Sequence, residues 1–583
     1  MPIIEDGWVS MTIDRQEVRV PQDYTVLRAA ASMGIDIPHL CYHPELCAEG
    51  SCRVCAVEVE GARTPVVASC VYPVAEGMVV GTNTQRAREA RRSVVELMLA
   101  NHPRECLSCP KNGDCELQKI AADLGVREIS FEGERRSSRK DTKNAAICRD
   151  PEKCILCTRC VRVCSEKQGL DIYGVTYRGF ETRVEPALGL GLDQVACTYC
   201  GQCVAVCPTA ALTETDDTQR LWDALGDPNR YVVVQTAPAV RVALGEAFGM
   251  EPGSIVTGKM VESLRRMGCD RVFDTEFTAD LTVMEEGYEL LHRLRTGGPL
   301  PQLTSCSPGW INYVEANRPE IIPYLSTAKS PQAMFGALVK SYYAERCGID
   351  PAKIVSVSVM PCTAKKAEAT RADLCDSGYR DVDIVVTTRE LARMIKEAGI
   401  DFCRLEGASF DEPMGIATGG GQIFGVSGGV MEAALRTVCE VYAGKTLADV
   451  EFREVRGFEG VKEATVDLGD GTAIRVAVAQ TLRNAERLIE EIERGTSPYH
   501  FIEVMACPGG CIGGGGQPSV NDRDVLKARM AAIYALEERM RYRKSHENPA
   551  IVELYDTWLG APLGDKSHRL LHTRYEVRAD RLK

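Results

Sequence analysis

The stretch from Glu503 to Pro518, E-V-M-A-C-P-G-G-C-I-G-G-G-G-Q-P, sets two thiols in a bed of glycine. Cys507 and Cys511 are four apart, so on a helix both thiolates would face one point. Glycine lets backbone approach closely and takes positive φ without penalty, and a bulky inorganic cofactor needs such a floor. No Gly-Lys-Ser/Thr follows, which argues against a phosphate-binding loop. The plainer reading is a glycine-rich turn holding two buried free cysteines. The weight comes from upstream, where fifteen cysteines and a histidine are spaced as if to bring electrons to this stretch.

The chain has 583 residues, 26 of them cysteine, a net charge of −13 and 45% apolar residues. That length suggests roughly three to five domains, and the apolar content allows large cores. Most of the cysteines fall in C-x-x-C spacings. In a large chain whose first residues, Met1 to Trp8, show neither a basic nor an apolar region, such spacing favours metal over disulfides. No run of about 18 apolar residues exists, so no membrane span is expected. A reducing, cytoplasmic location follows. The acidic balance argues against a nucleic-acid partner.

The elements that must position this chemistry come in chain order. Val9–Ile13 and Glu17–Val20 alternate like paired strands, and Thr25 opens a helical pattern from Val26 to Gly34. Cys41, Cys52, Cys55 and Cys70 follow, spaced C-x10-C-x2-C-x14-C. This resembles the 2Fe-2S ferredoxin domain that begins the large iron–sulfur subunit of complex I and many hydrogenases. It departs from the plant-type C-x4-C-x2-C run. Cys47 is the alternative first ligand; Cys41 fits the wider gap of the complex I pattern. A zinc ribbon would pair two C-x-x-C knuckles, and only one is present here.

An amphipathic helix rich in Arg and Glu is expected from Thr84 to Ala100. His102, Cys106, Cys109 and Cys115 come next. They resemble the His/Cys3 4Fe-4S site of the same family, with zinc as the competing occupant. A neutral imidazole in place of a thiolate makes such a cluster less negative and should raise its potential. Then the bacterial ferredoxin signature appears twice: Cys154, Cys157, Cys160 and Cys164, then Cys197, Cys200, Cys203 and Cys207 before Pro208. In such pairs the fourth cysteine crosses over. One cubane is therefore assigned Cys154, Cys157, Cys160 and Cys207, the other Cys197, Cys200, Cys203 and Cys164. Cys148 is left without a role.

From Tyr231 the pattern turns α/β. Strand-like runs at Tyr231–Val234, Ile354–Val359 and Val382–Val386 alternate with helical stretches, which suggests parallel sheets. Two further segments carry chemistry: Thr304-Ser-Cys-Ser-Pro-Gly-Trp310 and Met360-Pro-Cys-Thr-Ala-Lys-Lys-Ala-Glu368. With the opening stretch they resemble the three signatures of iron-only (FeFe) hydrogenases, and the second and third match at every defined position. The resemblance covers essentially the whole chain. It implies a multidomain α+β and α/β fold. A β-grasp ferredoxin domain would span 1–83, a His/Cys3 module 84–140 and a bacterial ferredoxin-like module 141–218. A two-lobed α/β catalytic domain would span 219–520 and a helical C-terminal extension 521–583, with helices at Val525–Tyr542 and Ala550–Leu559. His568 and His572 are one helical turn apart in that extension and are read as structural rather than as metal ligands.

The resemblance also implies the cofactors. One 2Fe-2S cluster and three accessory 4Fe-4S clusters would lead to an H-cluster, a 4Fe-4S cubane bridged to a diiron unit with CO, cyanide and a dithiolate. Carried over, Cys362 and Cys507 hold the cubane and Cys511 bridges. Lys365 would hold a cyanide by a charge-assisted hydrogen bond. Pro238, Gln332, Met360, Phe424 and Met505 would line the pocket, with Ala237 and Ala239 beside the proline. The glycine run Gly419–Gly425 would let backbone pack against the site. The remaining thiols, Cys269, Cys347, Cys375, Cys403 and Cys439, match no motif and are expected to be ordinary buried residues.

The first signature departs from the family. Family members carry two adjacent cysteines there, one relaying protons and one ligating the cubane; this chain has Cys306 and Ser307. Either Ser307 binds iron as an alkoxide, or the loop shifts and Cys306 binds. A third possibility is a weakened or absent cluster. The implied proton relay is otherwise complete, running from Cys306 through Glu286, Ser326 and Glu289 to Arg293. Glu286 and Glu289 share a helix face at spacing three, although such a group is ordinarily a solvated helix face. The function implied is reversible reduction of protons to H2. Electrons would come from ferredoxin and/or an NAD(H)-linked flavoprotein, with small iron–sulfur subunits of a heteromeric complex, possible electron bifurcation, and dedicated maturation proteins. No dinucleotide or flavin fingerprint is present in the chain. The alternative, motivated by Ser307, is a non-catalytic electron-relay or redox-sensing protein that keeps the fold.

Overall fold

The computed structural model describes residues 7–444, 451–467, 473–518 and 522–578. The chain has a mixed α/β, multidomain fold. Its first unit is a five-stranded sheet of order β2-β1-β5-β3-β4: β1 Trp8–Ile13, β2 Gln16–Pro21, β3 Ala56–Val59, β4 Val66–Ala68 and β5 Val79–Gly81. The hairpin β1–β2 pairs antiparallel from Trp8 opposite Pro21 to Ile13 opposite Gln16. Helix α1, Val26–Ser32, starts where Thr25 accepts a bond from the Arg28 N–H. Thr84 caps α2, Gln85–Asn101, in the same way through the Ala87 N–H. Helix α3, Glu116–Asp123, follows the histidine–cysteine segment.

The ferredoxin-like repeat carries two small antiparallel pairs. β6 Ile147–Arg149 pairs with β9 Leu212–Glu214, and β7 Gly174–Thr176 with β8 Arg183–Glu185. The repeat is visible in the backbone. Leu156 and Thr158 in the first half, and Tyr199 and Gly201 in the second, all have left-handed φ, near 58°, 59°, 61° and 70°.

The C-terminal half is built on two four-stranded sheets. The first, β11-β10-β13-β14, comprises Arg271–Asp274, Tyr231–Thr236, Ile354–Met360 and Ile384–Thr387 and is parallel throughout. Every residue of β13 is buried, as expected of a Val/Ile-rich strand covered on both faces. Each such apolar side chain contributes about 1.5–3 kcal/mol by leaving water. The second sheet, β12-β17-β16-β15, comprises Gln302–Leu303, Phe501–Met505, Ala473–Gln480 and Val461–Asp467. It is parallel except at its antiparallel edge strand β15. The third expected strand begins later than the sequence suggests, at Ile384 rather than Val382. Asp383 is held off by bonds from the Ser356 N–H and the Lys340 ammonium.

Four further helices matter for the site. α4, Thr275–Thr296, is capped by Asp274 and stopped by Gly297 at φ 71°; it is buried along most of its length. α5, Pro308–Asn317, packs against β17, while α6, Pro331–Leu338, and α7, Gly429–Ala443, pack against α4. The tail supplies α8, Arg523–Glu537, shorter than the expected Val525–Tyr542, then a helical run over Pro549–Leu559. Among the described residues, no helix is long and apolar enough to cross a membrane.

Candidate active site

The geometry starts from where the strands end. β10 runs into Ala237 and Pro238, β13 into Cys362, β17 into Cys507, and β12 into Cys306. All four strands are parallel to a neighbour, and ligands of open α/β sheets gather outside such carboxyl ends. Here the ends of two sheets converge on one cavity of about 800 Å³. Cys306, Ser307, Cys362, Lys365, Cys507 and Cys511 line it. So do Pro238, Gln332, Met360, Phe424 and Met505, as the sequence suggests, and Ala237 with them. Ala239 does not; its carbonyl accepts instead from Gln517.

Of the two local forms the sequence allowed, a helical turn or a glycine-rich turn, the segment between Cys507 and Cys511 takes the second. It is a turn through Gly509 (φ 71°) and Gly510 (φ 87°), followed by a short 3-10 helix from Cys511. A Cβ at Gly510 would lie 2.5 Å from the Ser427 amide nitrogen, so only glycine permits the close approach that aims both thiols inward. The Gly419–Gly425 run begins as a short helix packed against other backbone: a Cβ at Gly421 would lie 2.5 Å from the Glu276 carbonyl oxygen, and one at Gly425 3.4 Å from Pro238 Cβ.

The pocket thiols are buried in apolar surroundings. Burial pushes Cys511 up to about 12 and Cys507 well above its ordinary value, with the neighbouring thiols adding to the shift. Burial also raises Cys362. The nearby cation, Lys365, donates to Glu368 at 2.9 Å and to the Cys306 carbonyl at 3.2 Å. Glu368 also accepts from Ser330 and Gln332, both at 2.9 Å. Gln332 Oε1 has no hydrogen-bond partner among the described residues. Thiols of this kind suit iron, which removes their protons outright and supplies the missing positive charge. The donor set therefore fits an iron–sulfur group.

On the other side of Cys306, α4 carries an acid ladder. Glu286 accepts from the Ser305 N–H at 3.1 Å, while its second oxygen has no partner among the described residues. Burial is the main cause that lifts its carboxyl to about 8. Ser326 stands between the two acids, its hydroxyl donating to Glu289 at 2.8 Å and also facing Glu286. Glu289 is paired with Arg293 at 2.6 Å, and Arg293 also donates to the Leu325 and Tyr324 carbonyls. All five relay residues named from the sequence are thus brought together.

Upstream, the structure groups the cysteines into four sets. Cys41, Cys52, Cys55 and Cys70 are buried together; the Cys41 N–H points at the Cys52 sulfur at 3.3 Å, and the Cys41 thiol is held low by Cys52 and Cys70. Cys47 is exposed, its amide bonded to Glu166. His102 shares a small cavity with Cys106, Cys109 and Cys115. Its Nδ1 is buried without a partner among the described residues, and burial lowers the imidazole to about 4. A neutral ring facing three thiols fits a metal group. Cys154, Cys157, Cys160 and Cys207 line one cavity of about 460 Å³. Cys164 is influenced by Cys197 and Cys200, and Cys203 by all three. Cys207 thus lies with the first set and Cys164 with the second. Cys148 lies buried in β6. Of the five thiols expected to be buried, Cys269 and Cys439 are, while Cys347, Cys375 and Cys403 are exposed.

These sets dock on one another, the Cys41 loop and the helix after Cys115 sharing one apolar cluster with Cys157. The Cys41 loop docks on the first ferredoxin half, where Arg162 donates to the Cys41 carbonyl at 2.6 Å and Arg159 to the Tyr42 carbonyl at 2.9 Å. The histidine set docks beside the same Cys154 set, where Arg159 donates to the Glu116 carboxylate at 2.7 Å and the Glu116 N–H bonds the carbonyl of Pro208, next to Cys207, at 3.0 Å. The second half docks on the catalytic cavity. Gln202 donates to the Gly513 carbonyl, Gln168 to the Ala506 carbonyl, and Thr363 to the Tyr199 carbonyl. Cys200 itself lines the cavity. Its place there was missed from sequence, because spacing assigns it only to its own cluster. Glu503 and Glu368 were visible only as motif letters; Glu503 holds the start of α7 through the Gly428 and Met431 N–H groups, both at 2.7 Å. His568 and His572 stack at 4.7 Å, and His572 bonds Glu285 and Thr327, a structural role.

The chain matches the family model of the iron-only hydrogenase large subunit, C-terminal domain, over residues 230–515. It matches the iron hydrogenase small subunit over 523–578. Upstream it matches a 2Fe-2S iron–sulfur cluster binding domain (7–85), the NADH-ubiquinone oxidoreductase-G iron–sulfur binding region (91–130) and the NADH-quinone oxidoreductase subunit 3 ferredoxin-like domain (145–213). It is 50% identical over 579 residues to the NADP-reducing hydrogenase subunit HndD of Solidesulfovibrio fructosivorans, covering 97% of this chain and 98% of that protein. The chain is an iron-only hydrogenase. Iron hydrogenase 1 of Clostridium pasteurianum is 38% identical over 574 residues, covering 97% of this chain and 100% of that one. A solved FeFe-hydrogenase from Chlamydomonas reinhardtii is 46% identical, with a TM-score of 0.56, covering 62% of this chain and 99% of that one. This hydrogenase is an oxidoreductase acting on H2. It has an H-cluster domain and N-terminal 2Fe-2S and 4Fe-4S domains that relay electrons.

Proposed function

We propose that this hydrogenase makes and consumes H2 in the cavity between its two sheets, as the catalytic subunit of a cytoplasmic, heteromeric, nicotinamide-linked complex. The observation that carries the reading is the convergence of Cys362, Cys507, Cys511, Lys365 and the Glu286 ladder at strand ends of both sheets. The finer organisation proposed is that of five units. They are a β-grasp 2Fe-2S module over 1–83, a His/Cys3 module over 84–140, a two-cubane module over 141–218, the two-lobed catalytic domain over 219–520 and the extension over 521–583.

Cys362, Cys507 and Cys511 would hold the cubane of the H-cluster, Cys511 bridging to the diiron unit. When bound, that unit supplies the redox chemistry that makes or splits H2. The chain does the rest. Lys365, anchored by Glu368, offers its remaining N–H bonds to anionic groups in the cavity. Met360, Met505, Phe424 and Pro238 keep water out. Cys306 exchanges a proton with Glu286, whose carboxyl is poised near neutrality to take and give one. Ser326 and Glu289 pass it outward to solvent, Arg293 holding the Glu289 carboxylate in place at the outer end. Electrons would cross from the Cys41 and His102 sets to the Cys154 set, then the Cys197 set.

The link to a nicotinamide partner rests on the likeness to an NADP-reducing hydrogenase subunit; ferredoxin is the second donor proposed, and bifurcation between the two follows if both are used. The test is infrared spectroscopy of the matured, anaerobically purified protein, with H2 production measured on the same sample. Bands of iron-bound CO and cyanide together with turnover are expected. Their absence, where a known hydrogenase matured alongside shows them, would leave a non-catalytic relay, the reading that Ser307 alone favours.

A further inference from the structure

Ser307 stands at the N-cap of α5, with φ −97° and ψ 103°. Its carbonyl accepts from the Trp310 N–H at 3.0 Å and the Ile311 N–H at 3.1 Å. A serine at this place ordinarily turns its hydroxyl onto the second or third N–H of the helix. Ser307 makes no such bond among the described residues. Its hydroxyl faces the cavity instead, where it meets the Ala506 N–H at 3.5 Å, one residue before Cys507.

Its neighbours place it on the cubane side. A Cβ at Gly309 would lie 3.0 Å from Ala506 Cβ and 3.8 Å from Cys200 Cβ. The 307–309 segment is therefore pressed between the Cys507 turn and the relay's last cysteine loop. Cys306 lines the same cavity nearer the acid ladder. It packs in the apolar cluster of Ala279, Phe424 and Met505, and Glu286 is the first of the charged groups that act on it. Side chains of adjacent extended residues point to opposite sides, so Cys306 lies toward the acid ladder and Ser307 toward the backbone just before Cys507.

We propose that Ser307 Oγ is the fourth protein ligand of the cubane and that Cys306 stays a free thiol on the acid-ladder side. This rests on the hydrogenase reading above. Binding exchanges the serine O–H bond for an O–Fe bond and releases one proton to solvent; no electron moves. The N–H dipoles at the start of α5 favour the negative oxygen. An alkoxide is harder than a thiolate and favours the more oxidised iron, so the cubane sits at a lower potential than it would with four thiolates.

The full chain, produced without the diiron unit, tests this by EPR, Mössbauer spectroscopy and redox titration of its iron–sulfur clusters. Cys507→Ala comes first and should remove or convert one cluster signal. If it changes nothing, no cluster occupies the cavity, and both the ligand assignment and the hydrogenase reading fall. With that signal identified, Ser307→Cys should keep it as a four-iron cluster at a higher midpoint potential. Ser307→Ala should open one iron, giving a three-iron signal, while Cys306→Ala should leave type and potential unchanged. The proposal is overturned if Cys306→Ala converts the cluster, or if both Ser307 variants leave its type and potential as they were. Should Ser307→Ala not fold, the potential of Ser307→Cys decides alone.

Discussion

The catalytic cavity is approached from two sides that are built by opposite rules. On the electron side, glycine backbone is packed closely against the facing loop, and the side chains that bridge the two donate to backbone carbonyls. A Cβ at Gly201 would lie 2.2 Å from Thr363 Oγ1, and one at Gly515 would lie 2.5 Å from the Cys200 carbonyl oxygen. On the proton side, side chains hold each other at hydrogen-bond length: Glu286 to Ser305, Ser326 to Glu289, Glu289 to Arg293. Electron transfer falls steeply with distance and is indifferent to intervening polarity, so packing alone serves it. A proton needs a donor and an acceptor at every step. The difference teaches where each side tolerates change. One is limited by volume, the other by the identity of single atoms.

Glu286→Gln would sharpen the contrast most. The amide oxygen can still accept from Ser305 while the proton-carrying oxygen is lost. H2 production should fall on the order of 10²- to 10⁴-fold, with the EPR signals of the accessory clusters unchanged. Loss of those signals would mean that the two sides are not separable.

The next largest effect is expected from Gly201→Thr, which installs the residue that the first repeat carries at the same place, Thr158. Thr363 cannot step aside without losing its bond to the Tyr199 carbonyl. Overpacking of this kind costs about 1–3 kcal/mol. Ferredoxin-driven H2 production should drop about tenfold as the last cysteine loop is pushed from the cavity, a fold-change equivalent to 1.4 kcal/mol. The infrared bands of the cavity should not move. An unchanged rate would remove close packing as the rule of the electron side.

A smaller effect concerns pH. The Glu286 carboxyl is held at about 8 in the fold, against 4.5 ordinarily. Between those values the native state keeps a proton that the unfolded chain has lost, so this group's contribution to stability falls as pH rises from about 4.5 to 8 and is constant above. Thermal unfolding of Glu286→Gln should therefore show a shallower decline across that window than the parent. Equal slopes would place the proton elsewhere. The smallest effect is expected from Thr158→Gly in the first repeat. It relieves a left-handed non-glycine residue while losing the bond to Glu49, and should change stability by less than about 1 kcal/mol and H2 production not at all.

Local spacing made most members of each cysteine set legible, because they fall in short motifs; the grouping of Cys207 with Cys154, Cys157 and Cys160 is a long-range pairing that came from the ferredoxin pattern and not from local spacing. The helix starts at Thr25 and Thr84 were equally readable, since a cap is a contact over three residues. What was not legible depends on long-range pairing. β12 is two residues long and exists only because β17, some two hundred residues on, lies beside it. Whether Cys507 to Cys511 would be a helical turn or a glycine-rich turn was left open by spacing, because the conformation at Gly510 is fixed by the close approach of Val426 and Ser427. Spacing also could not decide between Cys306 and Ser307; the direction of the N-cap side chain bears on it, and direction is a property of the fold.

The two arms that meet on the first ferredoxin half have a further consequence. H2 is made from two electrons at once, while iron–sulfur groups carry them singly. An unbranched wire must deliver the second electron on demand. If the Cys41 and His102 sets both feed the Cys154 set, as proposed, the forked path would hold an electron on each arm while the cavity waits for its protons, and the protein would act as a capacitor as well as a conductor. Its turnover should then depend on the total charge stored and not on which arm was filled first.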